Sequence, residues 1–402
     1  MKNKKALLTL MIFLTSMFFY SCSKDDSNVV SWNSPTTNST DLPDVSEKDE
    51  NPDDLQLKSE SDSRHSGFLY VQSNDASQNS ILIYRQSNNG TLTLQSTVSS
   101  GGIGSGGGLG NQGAIAINKN EKWLFAVNAG SNSISSFRIS NSGNLSLAHT
   151  ISTGGVRPVS VTIRNRFLYV VNAGSDNISG FLVSNGGSMG AIPGSVQSLS
   201  AAGAGAAQIS FSPNGSYLYV TEKATNKITA FPVNNNGAAG PGSPMASTGQ
   251  TPFGFDIARD RYMIVSNAAG GAAGQSSATS YSGINNGNLD DVNGAVQNNQ
   301  AAACWVATTK HGRFAYVTNT ASDNISSYYI GFTGGLYVIH EAIVAGDAPT
   351  EIIVADDNIY VYVLNSAAHS ISTYKRTLLG GLTLIETITG LPNAATGMES
   401  AD

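Results

Sequence analysis

Few side chains in this sequence stand where they could do chemistry. Arg157 opens a β-like run in Val156-Arg157-Pro158, and Glu351 holds a matching place in Ala348-Pro349-Thr350-Glu351. Trp305, Gln112 and Gln208 sit at or just before comparable runs. A guanidinium, a carboxylate and an aromatic ring converging at one point would hold a small polar or anionic ligand, with the amides fixing its orientation. The plainer reading is that Arg157 and Glu351 pair with neighbouring loops or water. The five histidines are His65, His149, His311, His340 and His369, and none falls in such a run. No histidine base and no metal-ligand spacing results, so neither metal nor cofactor is expected.

The elements that must position these residues follow from a repeat. Phe167-Leu-Tyr-Val-Val-Asn172 is an alternating strand, Ala-Gly-Ser-Asp is a polar turn, and a second strand starts near Ile178. The phrase recurs, ending at Asn74, Asn128, Asn172, Glu222, Asn267, Asn319 and Asn365, with spacings of 54, 44, 50, 45, 52 and 46 residues. Several strands per unit at a period of roughly 40–50 residues is the mark of propeller blades. The recurring Asn would bond the turn that follows it. Glu222 breaks the series and is a further candidate for ligand binding. Inner strands are expected at 113–117, 158–163, 207–211, 252–257, 304–308 and 349–354, with a seventh at Pro392–Glu399. The first unit, 68–98, lacks an inner strand ahead of it, so the last strand should complete the first sheet and remove two open edges. The expected fold is all-β, a seven-bladed propeller of four-stranded blades closed by the C-terminal strand.

Two short motifs dissolve in this frame. Gly102-Ile-Gly-Ser-Gly-Gly107 has the spacing of a dinucleotide loop, but a strand and not a helix should follow it. Gly186-Gly-Ser-Met-Gly190 has the spacing of a nucleophile elbow, yet it falls in a hairpin between outer strands.

Charge and leader set the compartment. The net charge is −6, but Lys24 to Asp62 holds eleven acids against three lysines, whereas His65 to Asp402 holds seventeen acids against fifteen Lys or Arg. A nearly neutral repeat region is unsuited to nucleic acid, which demands a basic surface. Residues 1–21 read as an export signal: Lys2, Lys4 and Lys5 precede a short apolar run ending in Phe19-Tyr20-Ser21-Cys22. That ending resembles a bacterial lipobox, with Phe19 departing from the usual Leu, so Cys22 is the expected lipidation site and membrane anchor. Cys22-Ser-Lys-Asp-Asp26 resembles the acidic signal that sends some lipoproteins to the outer surface. The expected place is therefore the bacterial cell envelope, as an outer-membrane lipoprotein. Residues 22–66 are polar, acidic and poor in apolar side chains, and read as a disordered tether to a propeller over 67–402. Two cysteines, Cys22 and Cys304, are too few for a disulfide framework.

Leu168-Tyr-Val-Val-Asn172, Ala315-Tyr-Val-Thr-Asn319 and Phe211-Ser-Pro-Asn-Gly-Ser-Tyr-Leu-Tyr-Val220 resemble the lactonase-type seven-bladed propeller family, which includes a 6-phosphogluconolactonase and fungal carboxymuconate cyclases. Similar repeats occur in surface-layer proteins. The resemblance spans residues 67–402 and implies fold more than activity. It also implies an Arg-His pair ahead of one inner strand; here Arg157 matches and the histidine does not. By the resemblance, Arg157 would stabilise charge in ring opening and Glu351 would serve as base. The expectation is an anchored envelope propeller that binds a ligand or another envelope protein. A lactonase or cyclase using Arg157 and Glu351 is the alternative, and a surface-layer-like structural protein a further one.

Overall fold

The computed structural model describes residues 67–402, so the leader, Cys22 and the acidic stretch lie outside the described residues. Each blade is an antiparallel sheet whose strands run outward from a central channel. Blade 1 joins Thr396–Ala401 to Phe68–Gln72, Ser80–Gln86 and Leu92–Ser99. The remaining inner strands are Ile115–Ile117, Pro158–Arg164, Ala206–Phe211, Pro252–Ala258, Ala303–Thr308 and Pro349–Val354, which makes seven blades. Blade 3 departs slightly, because its outer edge is split into Met189–Ala191 and Gln197–Ser198. Among the described residues helix is confined to two 3-10 turns, Ala269–Gly271 and Ile284–Asn286.

The closure is the expected one. Phe68, Leu69 and Tyr70 pair with Ala401, Ser400 and Glu399. The closing strand begins at Thr396 rather than Pro392, because Pro392 lies in the incoming loop, where Ala395 N–H donates to its carbonyl at 3.0 Å. The two glycine motifs are loop and hairpin, as their context demanded.

Second strands such as Tyr360–Asn365 are buried along their whole length. Each is covered on both faces by neighbouring blades, which is why the repeat favours Tyr and Val. The blades interlock through one repeated contact. The first residue of each second strand is aromatic: Phe68, Trp123, Phe167, Tyr217, Tyr262, Phe314 and Tyr360. Against each ring lies a glycine from the outer hairpin of the next blade. Gly334 shows why only glycine serves: its φ is +89°, and a Cβ there would stand 2.3 Å from the Tyr262 ring. The contact recurs in all seven blades, with φ between +73° and +89°. Two residues further on, Tyr70 and Tyr169 donate to Gly143 O at 2.9 Å and Gly237 O at 2.6 Å, and Tyr219 donates to Ile284 O at 2.8 Å.

The recurring Asn is a tie within the blade. Its Nδ2 donates to side-chain oxygens of the third strand: Ser133 and Ser135 for Asn128, Ser370 and Ser372 for Asn365, and, across a longer loop, Ser277 and Thr279 for Asn267. Its partners are thus mainly hydroxyls of the third strand rather than turn backbone. In blade 1 the strand register assigns this place to Ser73 and not to Asn74. Asn74 instead holds the glycine-rich loop, donating to Gly107 O at 2.7 Å and accepting from Ser105 N at 2.9 Å.

Substituting Gly334→Ala should destabilise the protein by roughly 1–3 kcal/mol, since both the left-handed backbone and the ring contact oppose a Cβ. Denaturant unfolding measures it. A change below about 0.3 kcal/mol would mean that the clamp does not limit stability.

Candidate functional site

All seven inner strands contribute to a channel cavity of about 310 Å³, and Gln112, Gln208 and Glu351 line it. Its leading end, where the strands begin, is crossed by one side chain. Gln112, arriving from the glycine-rich loop, reaches blade 6, where its Nε2 donates to Val306 O at 2.7 Å and its Oε1 accepts Val306 N–H at 3.1 Å. The amide mimics a strand edge and ties blade 2 to blade 6 across the ring. Gly254 lies beneath it, where a Cβ would stand 1.9 Å from Gln112 Oε1.

Gln208 uses the same device between adjacent blades, donating to Phe255 O at 2.9 Å and accepting Phe255 N–H at 2.6 Å. Ser160 and Glu351 hold the equivalent register positions. Ser160 Oγ accepts Ile209 N–H at 3.2 Å, and Glu351 Oε2 accepts Gly397 N–H at 3.2 Å from the closing strand. Glu351 is therefore first an inter-blade tie. Burial and the Glu399 carboxylate raise its pKa well above the ordinary value, which favours the neutral acid.

Carrying the strand alternation two residues further finds what sequence reasoning missed. Asp256 and Glu399 share the next register position on that face, and both line the cavity. Asp256 accepts Thr308 N–H and Oγ1–H, each at 2.8 Å, and Ile257 N–H at 2.7 Å; burial nevertheless raises its pKa. Burial, with the Asp356 and Asp256 carboxylates, pushes Glu399 up to about 8. Leading-end residues are buried, whereas Thr162, Ser210, Asp256, Val354 and Glu399 are partly exposed, so the cavity opens at the trailing end. Its lining contains acids and no Lys or Arg. No cluster suited to a metal ion exists among the described residues.

Arg157 and Trp305 are not among the lining residues. They belong to a second group at the leading end. Arg157 has a left-handed backbone, φ +54°, with its N–H donating to Asn132 Oδ1 at 2.7 Å. Thr251, Ala302 and Ala348 share that conformation ahead of their own inner strands, so the strain belongs to the blade and not to a site. The Arg157 charge acts on Lys223, which sequence reasoning passed over and which is only 8 % exposed. Lys223 Nζ donates to Gly110 O and lies 4.6 Å from the Phe253 ring centre. Trp305 packs on that ring at 5.0 Å between centres. Glu222, next to Lys223 in the chain, points elsewhere: it accepts Ser200 N–H at 3.1 Å, Ser200 Oγ–H, Thr225 Oγ1–H at 2.8 Å and Thr229 Oγ1–H at 2.6 Å. It replaces the recurring Asn as an intrablade tie.

The candidates are thus sorted into three places. Gln112, Gln208 and Glu351 share the channel, Arg157 and Trp305 flank Lys223 and Phe253, and Glu222 stands with neither group. No ion pair joins Arg157 to Glu351.

A closed ring of seven blades of antiparallel strands around a plugged polar channel defines a seven-bladed β-propeller. A family model described as "Lactonase, 7-bladed beta-propeller" matches residues 104–198, 188–274 and 288–395, and the chain belongs to that family. Among solved structures, it is similar to the periplasmic gluconolactonase of Pseudomonas aeruginosa (TM-score 0.69, 17 % identity, covering 84 % of this chain and 99 % of that one). It is also similar to a candidate 6-phosphogluconolactonase of Bacteroides fragilis (0.65, 18 %, 84 % and 98 %). A functionally unknown protein of Desulfotomaculum acetoxidans is a further match (0.63, 13 %, 84 % and 99 %). At these identities the likeness is one of fold. No curated protein matches in sequence.

The buried acid on the closing strand gives a pH test. Glu399 has its folded pKa raised from 4.5 to about 8, so its contribution is fully present below about 4.5 and lost as pH rises through about 8. Melting temperature should fall over that window, and Glu399→Gln, which mimics the acid, should flatten the fall. Parallel curves for the two proteins would refute the assignment.

Proposed function

We propose that this chain is an exported cell-envelope propeller, anchored through a lipidated Cys22, that serves as a binding module. The observation behind this reading is the separation of the one Arg-Glu pair that ring opening would use. Glu351 is engaged by Gly397 N–H in an acid-lined cavity, and Arg157 lies outside that lining beside Lys223. Lactone opening requires a base and an oxyanion donor within reach of one carbonyl. The basic start and lipobox-like end of residues 1–22 support export and anchoring, and the acidic stretch that follows suits a tether.

A second reading has its own support. The family model is named for lactonases, and the similar Pseudomonas aeruginosa protein is described as a periplasmic gluconolactonase. An exported enzyme would meet unphosphorylated lactones rather than cytosolic sugar phosphates. A lactone panel followed by acid release separates the readings. The binding reading predicts rates at buffer level for both wild type and Arg157→Ala. Turnover above buffer that falls at least about tenfold in Arg157→Ala would establish the enzyme instead.

The anchor has a separate test. Palmitate fed to cells should label the full chain, and Cys22→Ser should abolish the label and release the protein from membranes. An unlabelled wild type would remove the anchor from the proposal.

A further inference from the structure

We infer that Arg157 and Lys223, with the Trp305 indole beside them, form a binding site for the carboxylate of a small organic anion. This deepens the binding reading and rests on it. The starting point is a charge imbalance. Lys223 is buried, its ammonium has one hydrogen-bond partner, the Gly110 carbonyl, and the charge acting on it is another cation, Arg157. The neighbouring carboxylate in the chain, Glu222, is fully engaged by Ser200, Thr225 and Thr229. Glu351 answers to Glu399 and Gly397 within the channel lining. A buried amine with a second positive charge acting on it and no carboxylate among its partners is costly, and a bound anion relieves it.

A second observation points to the same place. Trp305 is 3 % exposed and its Nε1–H has no hydrogen-bond partner. A buried donor left unmade costs about 1–3 kcal/mol, and a ligand oxygen would recover it. Phe253 connects the two, with Lys223 over its ring and Trp305 packed on it. The ring also offers an apolar surface for the carbon frame of the ligand.

The charge count favours carboxylate over phosphate. One guanidinium and one partly neutralised amine suit a single negative charge, and Arg157 can hold a carboxylate through two parallel bonds. A dianionic phosphate would bring more charge and more acceptor oxygens than these donors match. Burial and the Arg157 charge lower Lys223 to about 7, so a bound anion must raise it again. The groups acting on Lys223 are Arg157 from the blade 2–3 loop, Gly110 O from the blade 1–2 loop and the Phe253 ring from blade 5. Affinity for an anion is therefore greatest below about 7 and weakens as pH rises through that value, because the amine loses its proton.

The test is titration calorimetry on the full chain at low ionic strength. The probes are acetate, succinate and gluconate, with methyl acetate and inorganic phosphate as controls. Expected is saturable binding of at least one carboxylate and none of the ester. Lys223→Met and Arg157→Met should each weaken it about tenfold. The wild-type affinity should fall between pH 6 and 8.5, and Lys223→Arg should remove that fall. Binding of no carboxylate at 10-fold molar excess over the millimolar range, tighter binding of phosphate, or equal binding by Lys223→Met with an unchanged melting temperature would overturn the site. Trp305→Phe keeps the packing and deletes the N–H, so it serves where a charge variant fails to fold. A several-fold loss supports the site, and unchanged affinity counts against it. Failure here leaves a protein-binding propeller standing, whereas lactone turnover lost in Arg157→Ala would end the binding reading and with it the ground for this site.

Discussion

Every blade depends on the glycine that the next blade lays against its leading aromatic ring. Tyr262 and Gly334, or Phe167 and Gly237, meet so closely that a single carbon would separate them. Because the contact links each blade to its neighbour, it sets blade spacing and inclination seven times over. A ring repeats one geometry or fails to close, and small errors would add around it. That explains why positive φ and a missing side chain are retained where the left-handed backbone alone would admit Asn. The hairpin tyrosine bonds, such as Tyr70 to Gly143 O, hold the same hairpins from below.

With blade spacing fixed, the centre of the ring becomes a narrow place where inner strands expose unpaired backbone groups. An edge strand needs partners, and water in a narrow channel is a poor supply. Side chains fill the need. Gln208 completes the edge of blade 5, Gln112 that of blade 6, and Glu351 the closing strand of blade 1. Polar residues in a propeller channel therefore look like a binding site while serving as architecture. What distinguishes a residue available to a ligand is the lack of such a debt: Trp305 Nε1–H carries none, and Gln112 does.

The fold was legible because its causes are local and repeated. Tyr-Val-rich strands ending in Asn, set at a period near 40–50 residues, fix the number of blades, and the missing first inner strand fixes the closure. The first unit was misread by one residue, Asn74 for Ser73, because Asn74 has its own work on the glycine loop. The site was less legible. Register counting located Glu351 and Gln208 in the channel, and one more step would have reached Asp256 and Glu399. No such rule pointed to Lys223. It follows Glu222 at the end of a strand and looks like a solvated lysine; its contacts are with Gly110 and Phe253, and the charge acting on it is Arg157, all far from it in sequence. Residues brought together by three different blades leave no mark in any one of them.

The channel and its mouth hold unlike charges. Lys223, on which the Arg157 charge acts, has aromatic cover outside the channel lining; Glu351, Glu399 and Asp256 are in that lining, and their pKa values rise together. In a low-dielectric interior opposite charges would attract strongly if they met. Here no ion pair joins them, and the acids respond by favouring protons rather than by pairing with the cations. Chemistry that required Glu351 as a base would have to free it from Gly397 N–H and leave that donor on the closing strand unmade. Such a loss costs about 1–3 kcal/mol when water cannot replace it. A ligand held outside the channel lining, beside Lys223, faces no such cost.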